Sequence, residues 1–141
     1  MYLIDTDVLS ELRKKDKADP GVKAFFARIE AEQTPVYLSV VTIGELRRGI
    51  EIIRHRGDGS QVGQLERWLE KVLGDHEDCI LAFDVESAQM WGRLRVPHSE
   101  NALDKQIAAT ALIHGLTVVT RNERHYQGAG VAVLNPFGNQ R

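Results

Sequence analysis

Short apolar runs alternate along this chain with longer stretches in which apolar residues recur at helical spacing. Tyr2-Leu3-Ile4 is a strand candidate that ends in Asp5, and a helical segment follows it through Leu12. Asp19-Pro20 reads as a helix start, a capping residue followed by proline at the first helical position, with Val22, Phe25, Phe26 and Ile29 on one face behind it. Pro35 breaks the chain, and Val36 to Val40 reads as a second strand. A helix is expected from about Thr42, with Ile43, Leu46, Ile50 and Ile53 on its apolar side. Arg56-Gly57-Asp58-Gly59-Ser60 has the composition of a loop. Val62, Leu65, Leu69 and Val72 then mark another amphipathic helix, flanked by Trp68.

Cys79 to Phe83 is a third strand candidate, and Ala88, Trp91 and Leu94 outline the helix after it. Beyond the polar stretch Pro97 to Asn101, a helix beginning near Leu103 carries Ile107, Ala108, Ala111 and Leu112 and stops at Gly115, a residue suited to the left-handed end of a helix. Leu116 to Val119 and Val131 to Leu134 complete a set of about five strands. Strands that alternate with helices imply right-handed crossovers and a mostly parallel sheet covered on both faces, an α/β fold. The 141 residues suit one domain, 1–141, and no repeat or linker divides them.

Composition narrows the functional classes. Hydrophobic content of 43% and charged content of 27% belong to a water-soluble domain. No apolar run approaches the roughly 20 residues that span a bilayer. A charge at the fifth residue leaves no room for a signal peptide, so the expected compartment is the cytoplasm, without membrane contact. A single cysteine, Cys79, excludes an intrachain disulfide and a multi-cysteine zinc site, and its apolar neighbours suggest a buried thiol. A net charge of −2 argues against a broad phosphate-binding surface; any contact with nucleic acid should be local, metal-assisted or pooled in an oligomer.

Ligands of open α/β sheets bind beyond the carboxyl ends of the strands. Asp5 lies directly after the first strand, Glu45 follows the second, Asp104 opens the helix before the fourth, and Thr120-Arg121-Asn122 follows that strand. Such a carboxylate group suits Mg²⁺ or Mn²⁺, hard ions that take oxygen ligands and can activate a water beside a phosphate. Each acid also has a structural reading. Asp5 or Thr6 could cap the first helix, Thr42-Ile43-Gly44-Glu45 has capping-box spacing, and Asp104 could favour a helix N-terminus through the macrodipole.

Four segments resemble, in order, the motifs of the PIN-domain ribonucleases, specifically the VapC-like toxins of type II toxin–antitoxin pairs. They are Leu3-Ile4-Asp5-Thr6-Asp7-Val8-Leu9-Ser10-Glu11-Leu12, Ser39-Val40-Val41-Thr42-Ile43-Gly44-Glu45-Leu46, Leu103-Asp104-Lys105-Gln106-Ile107-Ala108-Ala109-Thr110-Ala111, and Gly115-Leu116-Thr117-Val118-Val119-Thr120-Arg121-Asn122. The resemblance implies a PIN-like three-layer α/β/α sandwich and Mg²⁺- or Mn²⁺-dependent endonuclease activity on RNA. It also implies a homodimer and a cognate VapB-like antitoxin, through which alone the protein would contact DNA. By position, Asp5 and Asp104 would be metal ligands and Glu45 an assisting catalytic acid, with Thr6, Thr120 and Asn122 supporting the site or meeting substrate. The chain departs from the pattern at Asp7, where asparagine is common, and at Asn122, where many relatives have a fourth acid. It departs again at His125 and Tyr126, which stand where one variant has Asp-Phe.

Arg47, Arg48 and Arg121 could meet phosphates, the first two equally well being solvated or salt-bridged; His125 could be a general acid or a phosphate contact but is expected first as a surface loop residue, and Trp68 and Trp91 as core or dimer-interface residues. Asp5-Thr6-Asp7-Val8 also resembles the first motif of haloacid-dehalogenase-like phosphatases, although no acidic pair follows Val118-Val119. A catalytically degenerate PIN-like domain that only binds RNA or protein is the other alternative.

Overall fold

Within each strand of the computed structural model, which describes residues 1–138, side chains alternate between two separate cores. Tyr2, Ile4, Val36, Leu38, Ile80, Val119 and Leu134 face one core; Leu3, Tyr37, Leu81, Val118 and Val133 face the other. The strands are β1 (Tyr2–Ile4), β2 (Val36–Ser39), β3 (Ile80–Leu81), β4 (Thr117–Val119) and β5 (Val133–Leu134), and every pairing between them is parallel. The helices are α1 (Thr6–Leu12), α2 (Pro20–Ala31), α3 (Val40–His55), α4 (Gly59–Asp75), α5 (Val85–Leu94) and α6 (Ala102–His114). Helices α1 to α4 bury their apolar stripes on the first core, and α6 buries Ile107, Ala108 and Ala111 on the second. The result is the three-layer α/β/α sandwich that the alternation of periodicities predicts.

The sheet order is β3-β2-β1-β4-β5. The chain therefore builds outward from β1 to β3, then returns through α5 and α6 to place β4 on the opposite side of β1. This reversal opens a crevice between the carboxyl ends of β1 and β4, the place where open α/β sheets bind ligands. Asp5 and Thr120, the residues that directly follow those two strands, stand at its mouth.

Local chemistry explains most element boundaries. Asp5 is the N-cap of α1, and Asp19 caps α2, accepting from the backbone of Gly21 and Val22 with Pro20 at the first helical position. The same Asp19 oxygen accepts from the backbone N–H of Gly138, which ties the end of the described chain to α2. Gly21 is required there, because a Cβ would stand 2.3 Å from the carbonyl oxygen of Pro136. Gly115 ends α6 in the left-handed conformation at φ 65°.

Several expectations need correction. Helix α3 starts at Val40, with Ser39 as its N-cap accepting from the N–H of Val41. Thr42 is therefore inside the helix, fully buried, and Glu45 lies beyond the first turn, so the capping-box reading of Glu45 is wrong. The Gly59-Ser60 part of the expected loop is the start of α4, capped by Asp58. Strands β3 and β5 keep only two residues each, since the sheet edges pair over less length than the apolar runs suggest. Cys79 is only half-buried.

Candidate active site

Asp5 is the most constrained acid of the chain. Its carboxylate is only 3% exposed, and three donors surround it. The backbone N–H of Thr6 donates to Oδ1 at 2.7 Å, while the hydroxyls of Thr120 and Tyr126 each donate to Oδ2 at 2.8 Å. Burial nevertheless dominates and, together with the nearby charge of Asp104, raises the pKa of Asp5 above the ordinary carboxylate value despite the lowering by its three hydrogen bonds. The Tyr126 hydroxyl, buried beside Asp5 and Asp104, is held far above its usual pKa and stays a donor. With Oδ2 accepting two hydroxyls and Oδ1 only one N–H, the free acceptor capacity of Asp5 lies mainly on Oδ1.

The neighbouring acids form a ring around this centre. Glu45 reaches it from α3, where its Oε1 accepts from the Thr6 hydroxyl at 2.7 Å; the Thr42 hydroxyl lies 3.3 Å from that of Thr6. Burial first, and then the charges of Asp5 and Asp104, raise the pKa of Glu45. Asp104, in the first turn of α6, faces Nδ1 of His125 at 2.7 Å. Asp7 turns its Oδ2 toward the backbone N–H of Arg121 at 2.9 Å, and its buried Oδ1 has no hydrogen-bond partner among the described residues. Burial and the charge of Asp5 push the pKa of Asp7 up to about 6. Asn122 contributes its backbone N–H to the Thr120 hydroxyl at 3.0 Å, with its side chain on the exposed side of the turn.

The structure thus brings Asp5, Thr6, Glu45, Asp104 and Thr120 to one end of the β1–β4 crevice, with Asn122 at its edge. Two members were not among the expected site residues. Tyr126 is separated from Asp5 by 121 residues, and only its position in the run Arg121-Asn122-Glu123-Arg124-His125-Tyr126 hinted at the site. His125, expected as a surface loop residue, occupies the corner left without a fourth acid; its side chain remains 41% exposed. Of the arginines, Arg47 is paired with Glu51 and Glu66, whereas the Arg121 guanidinium lies over the Phe137 ring, 4.6 Å from its centre.

The raised pKa of Asp7 makes a stability test. Its folded pKa lies above the ordinary value of 3.8, so the fold favours the protonated acid. That contribution is fully present below about pH 3.8 and is lost as the pH rises through about 6. Asp7→Asn fixes the neutral form and keeps an acceptor for the Arg121 N–H. It is expected to stabilise the metal-free protein at pH 7.5 by about 1–2 kcal/mol, once solvent screening of this partly exposed group is allowed for. The gain should vanish near pH 3.5, as urea melts at the two pH values would show.

A family model described as the PIN domain matches residues 2–131. Toxin FitB of Neisseria gonorrhoeae is 35% identical over 143 residues, covering 97% of this chain and 99% of the relative. VapC ribonuclease Y4jK of Sinorhizobium fredii is 32% identical over 144 residues, covering 97% and 98%. Among solved structures, that of FitAB bound to the IR36 DNA fragment superposes with a TM-score of 0.82 at 33% identity, over 96% of this chain and 95% of the other. The order of the sheet, the acids at the β1–β4 crevice and these full-length likenesses agree: the chain belongs to the PIN domain family, on its VapC-like branch.

Proposed function

We propose that this protein, one PIN domain over residues 1–141, is a Mg²⁺- or Mn²⁺-dependent endoribonuclease and the toxin of a VapBC-type toxin–antitoxin module. The observation that carries the reading is the buried Asp5 carboxylate, fixed by three donors at the topological switch of the sheet and surrounded by Asp104, Glu45 and Asp7. Among the described residues no three Asp, Glu, His or Cys side chains converge closely enough to hold an ion between them. Mg²⁺ needs no such cage, since it is usually held by one or two carboxylates and keeps several waters. The partnerless buried Oδ1 of Asp7 and the raised pKa values of Asp5, Asp7 and Glu45 fit a cluster whose charge a cation offsets. Asp5 and Asp104 would hold the ion, and His125 in place of a further acid favours one ion over two.

A bound ion supplies charge neutralisation at the scissile phosphate and a lowered pKa for an attacking water. The chain's own groups do the rest. Thr6, Thr120 and Tyr126 hold Asp5 in one orientation, which preorganises the site. Glu45, kept more basic than an ordinary carboxylate and steadied by Thr6, accepts the proton of the attacking water. Asn122 sits where it can meet the RNA backbone. The relatives' names, Toxin FitB and VapC ribonuclease Y4jK, support the toxin and ribonuclease assignments, and the structure of FitAB bound to a DNA fragment supports a partner protein. A VapB-like antitoxin, a homodimer and a cytoplasmic location complete the proposal; no helix among the described residues is long and apolar enough to cross a membrane.

The test is RNA cleavage by the purified wild type with Mg²⁺ or Mn²⁺, with and without a chelator. Cleavage that appears only with the free ion is expected; binding of RNA without metal-dependent cleavage would support the degenerate, binding-only domain instead.

A further inference from the structure

The acid ring poses an electrostatic problem for a nuclease. Four carboxylates repel a polyanion, and the chain as a whole carries a net charge of −2. A groove of about 580 Å³ beside the site offsets this locally. It lies between the end of α1 and the exposed side of α4, and Arg13, Lys14, Lys15, Arg67, Lys71 and Trp68 line it; among the described residues no carboxylate does. Lys14 and Lys71 are paired with Glu11 and Asp75, but among the described residues Arg13, Lys15 and Arg67 pair with no acid. A narrower cleft continues from it, sharing Arg13, Leu65 and Trp68, and reaches Thr6 and Glu45 along a mainly apolar wall of Leu46, Ile50 and Ile53, which suits bases rather than phosphates. Lys15, just past α1, adopts φ 55°, a left-handed conformation that glycine takes without strain.

We infer that this groove is a track for single-stranded RNA, in which Arg13, Lys15 and Arg67 bind phosphates and the Trp68 ring offers a stacking face, leading the strand to the acids at Asp5 and Glu45. The inference rests on the nuclease reading above. Continuity favours RNA over an acidic peptide. A strand in the groove has a path to the reaction centre, where one phosphate can meet a metal ion, whereas peptide carboxylates entering the same cleft meet only the acid ring. Cations that follow a backbone, joined to an aromatic face that any base can stack on, are the usual features of single-strand recognition.

The test compares Arg13→Gln/Lys15→Gly/Arg67→Gln with its parent, both in an Asp5→Asn background so that binding is measured without cleavage. All three positions are exposed and unpaired, and the glycine relieves the backbone of residue 15, so the fold should hold, as a melting curve checks. Anisotropy of a labelled single-stranded RNA of roughly 16 nucleotides reads the affinity. Removing three phosphate contacts is expected to weaken binding roughly 30- to 100-fold at about 0.1 M salt and to lower the salt slope by about 2. Unchanged affinity, while the wild type still cleaves RNA, overturns the track and leaves the nuclease reading standing. Unchanged RNA affinity with lost binding of a polyglutamate peptide identifies a peptide site and likewise overturns it. A wild type that neither binds nor cleaves RNA removes both readings together.

Discussion

Replacing Asp5 with asparagine is expected to lower the rate of RNA cleavage by about 10³-fold or more, a loss of roughly 4 kcal/mol of transition-state stabilisation, while raising the melting temperature of the metal-free protein. Both effects follow from one environment. Asp5 is buried, and burial outweighs its three hydrogen bonds, so its charge destabilises the fold in the absence of a cation. Asparagine has nearly the same shape. Its oxygen can keep the Thr6 N–H bond, and its amide can donate to Thr120 and Tyr126, whose hydroxyls can turn to accept. What asparagine cannot supply is the negative charge that would bind the ion. A variant that melts higher yet has lost cleavage assigns Asp5 to the chemistry; a variant that unfolds would assign it to structure alone. Thermal melts without metal and cleavage assays with Mn²⁺ give the two readouts.

The second large effect concerns the ion itself. A ligand that binds only the folded state stabilises it by about 2.7 kcal/mol at a concentration 100 times its Kd, which for a domain of this size corresponds to a rise in Tm of roughly 8 °C. Mg²⁺ or Mn²⁺ is expected to produce a shift of this order in the wild type. Asp5→Asn and Asp104→Asn should abolish most of it. Glu45→Gln should leave much of the shift in place while slowing cleavage, because Glu45 is tied to Thr6 and assigned to the proton rather than to the ion. Equal shifts in all four proteins would contradict these assignments. Absence of a shift in the wild type would contradict an intact metal site.

Much of this was legible in the residues themselves, for identifiable reasons. Short continuous apolar runs marked the strands, because each strand alternates between two apolar cores, and helical stripes marked the helices, whose buried faces lie mainly on one core. The acids after β1 and β2 and at the start of α6 could be found because parallel sheets bring their strand ends to one edge. Three features could not be read in this way. Thr42 to Glu45 has the spacing of a cap, yet Ser39 takes that role, since one turn earlier is where the strand ends and its hydroxyl reaches the Val41 N–H. Tyr126 and His125 belong to a short 3-10 turn, Glu123–Tyr126, whose partners lie on α6 and after β1, so the local motif marked their positions but not what they touch. The basic groove draws Arg13, Lys14 and Lys15 from one segment and Arg67 and Lys71 from another, and a net charge of −2 hides it.

The departures at His125 and Tyr126 act together. Tyr126 adds a second hydroxyl donor to Asp5, which favours the charged form that a cation needs. His125 brings an imidazole to Asp104 where a further acid would have added repulsion. An imidazole this close to the site also raises a chemical alternative, in which a histidine assists attack by the 2′-hydroxyl of the RNA itself and no water enters the bond.

Cleavage of RNA in ¹⁸O-labelled water with Mg²⁺ separates the two chemistries. Attack by a water at the acid cluster places ¹⁸O in the newly formed terminal phosphate, gives no 2′,3′-cyclic phosphate ends, and stops when the ion is chelated. Cyclic phosphate ends without the label, or cleavage that persists in chelator, would contradict metal-dependent hydrolysis at Asp5, Glu45 and Asp104.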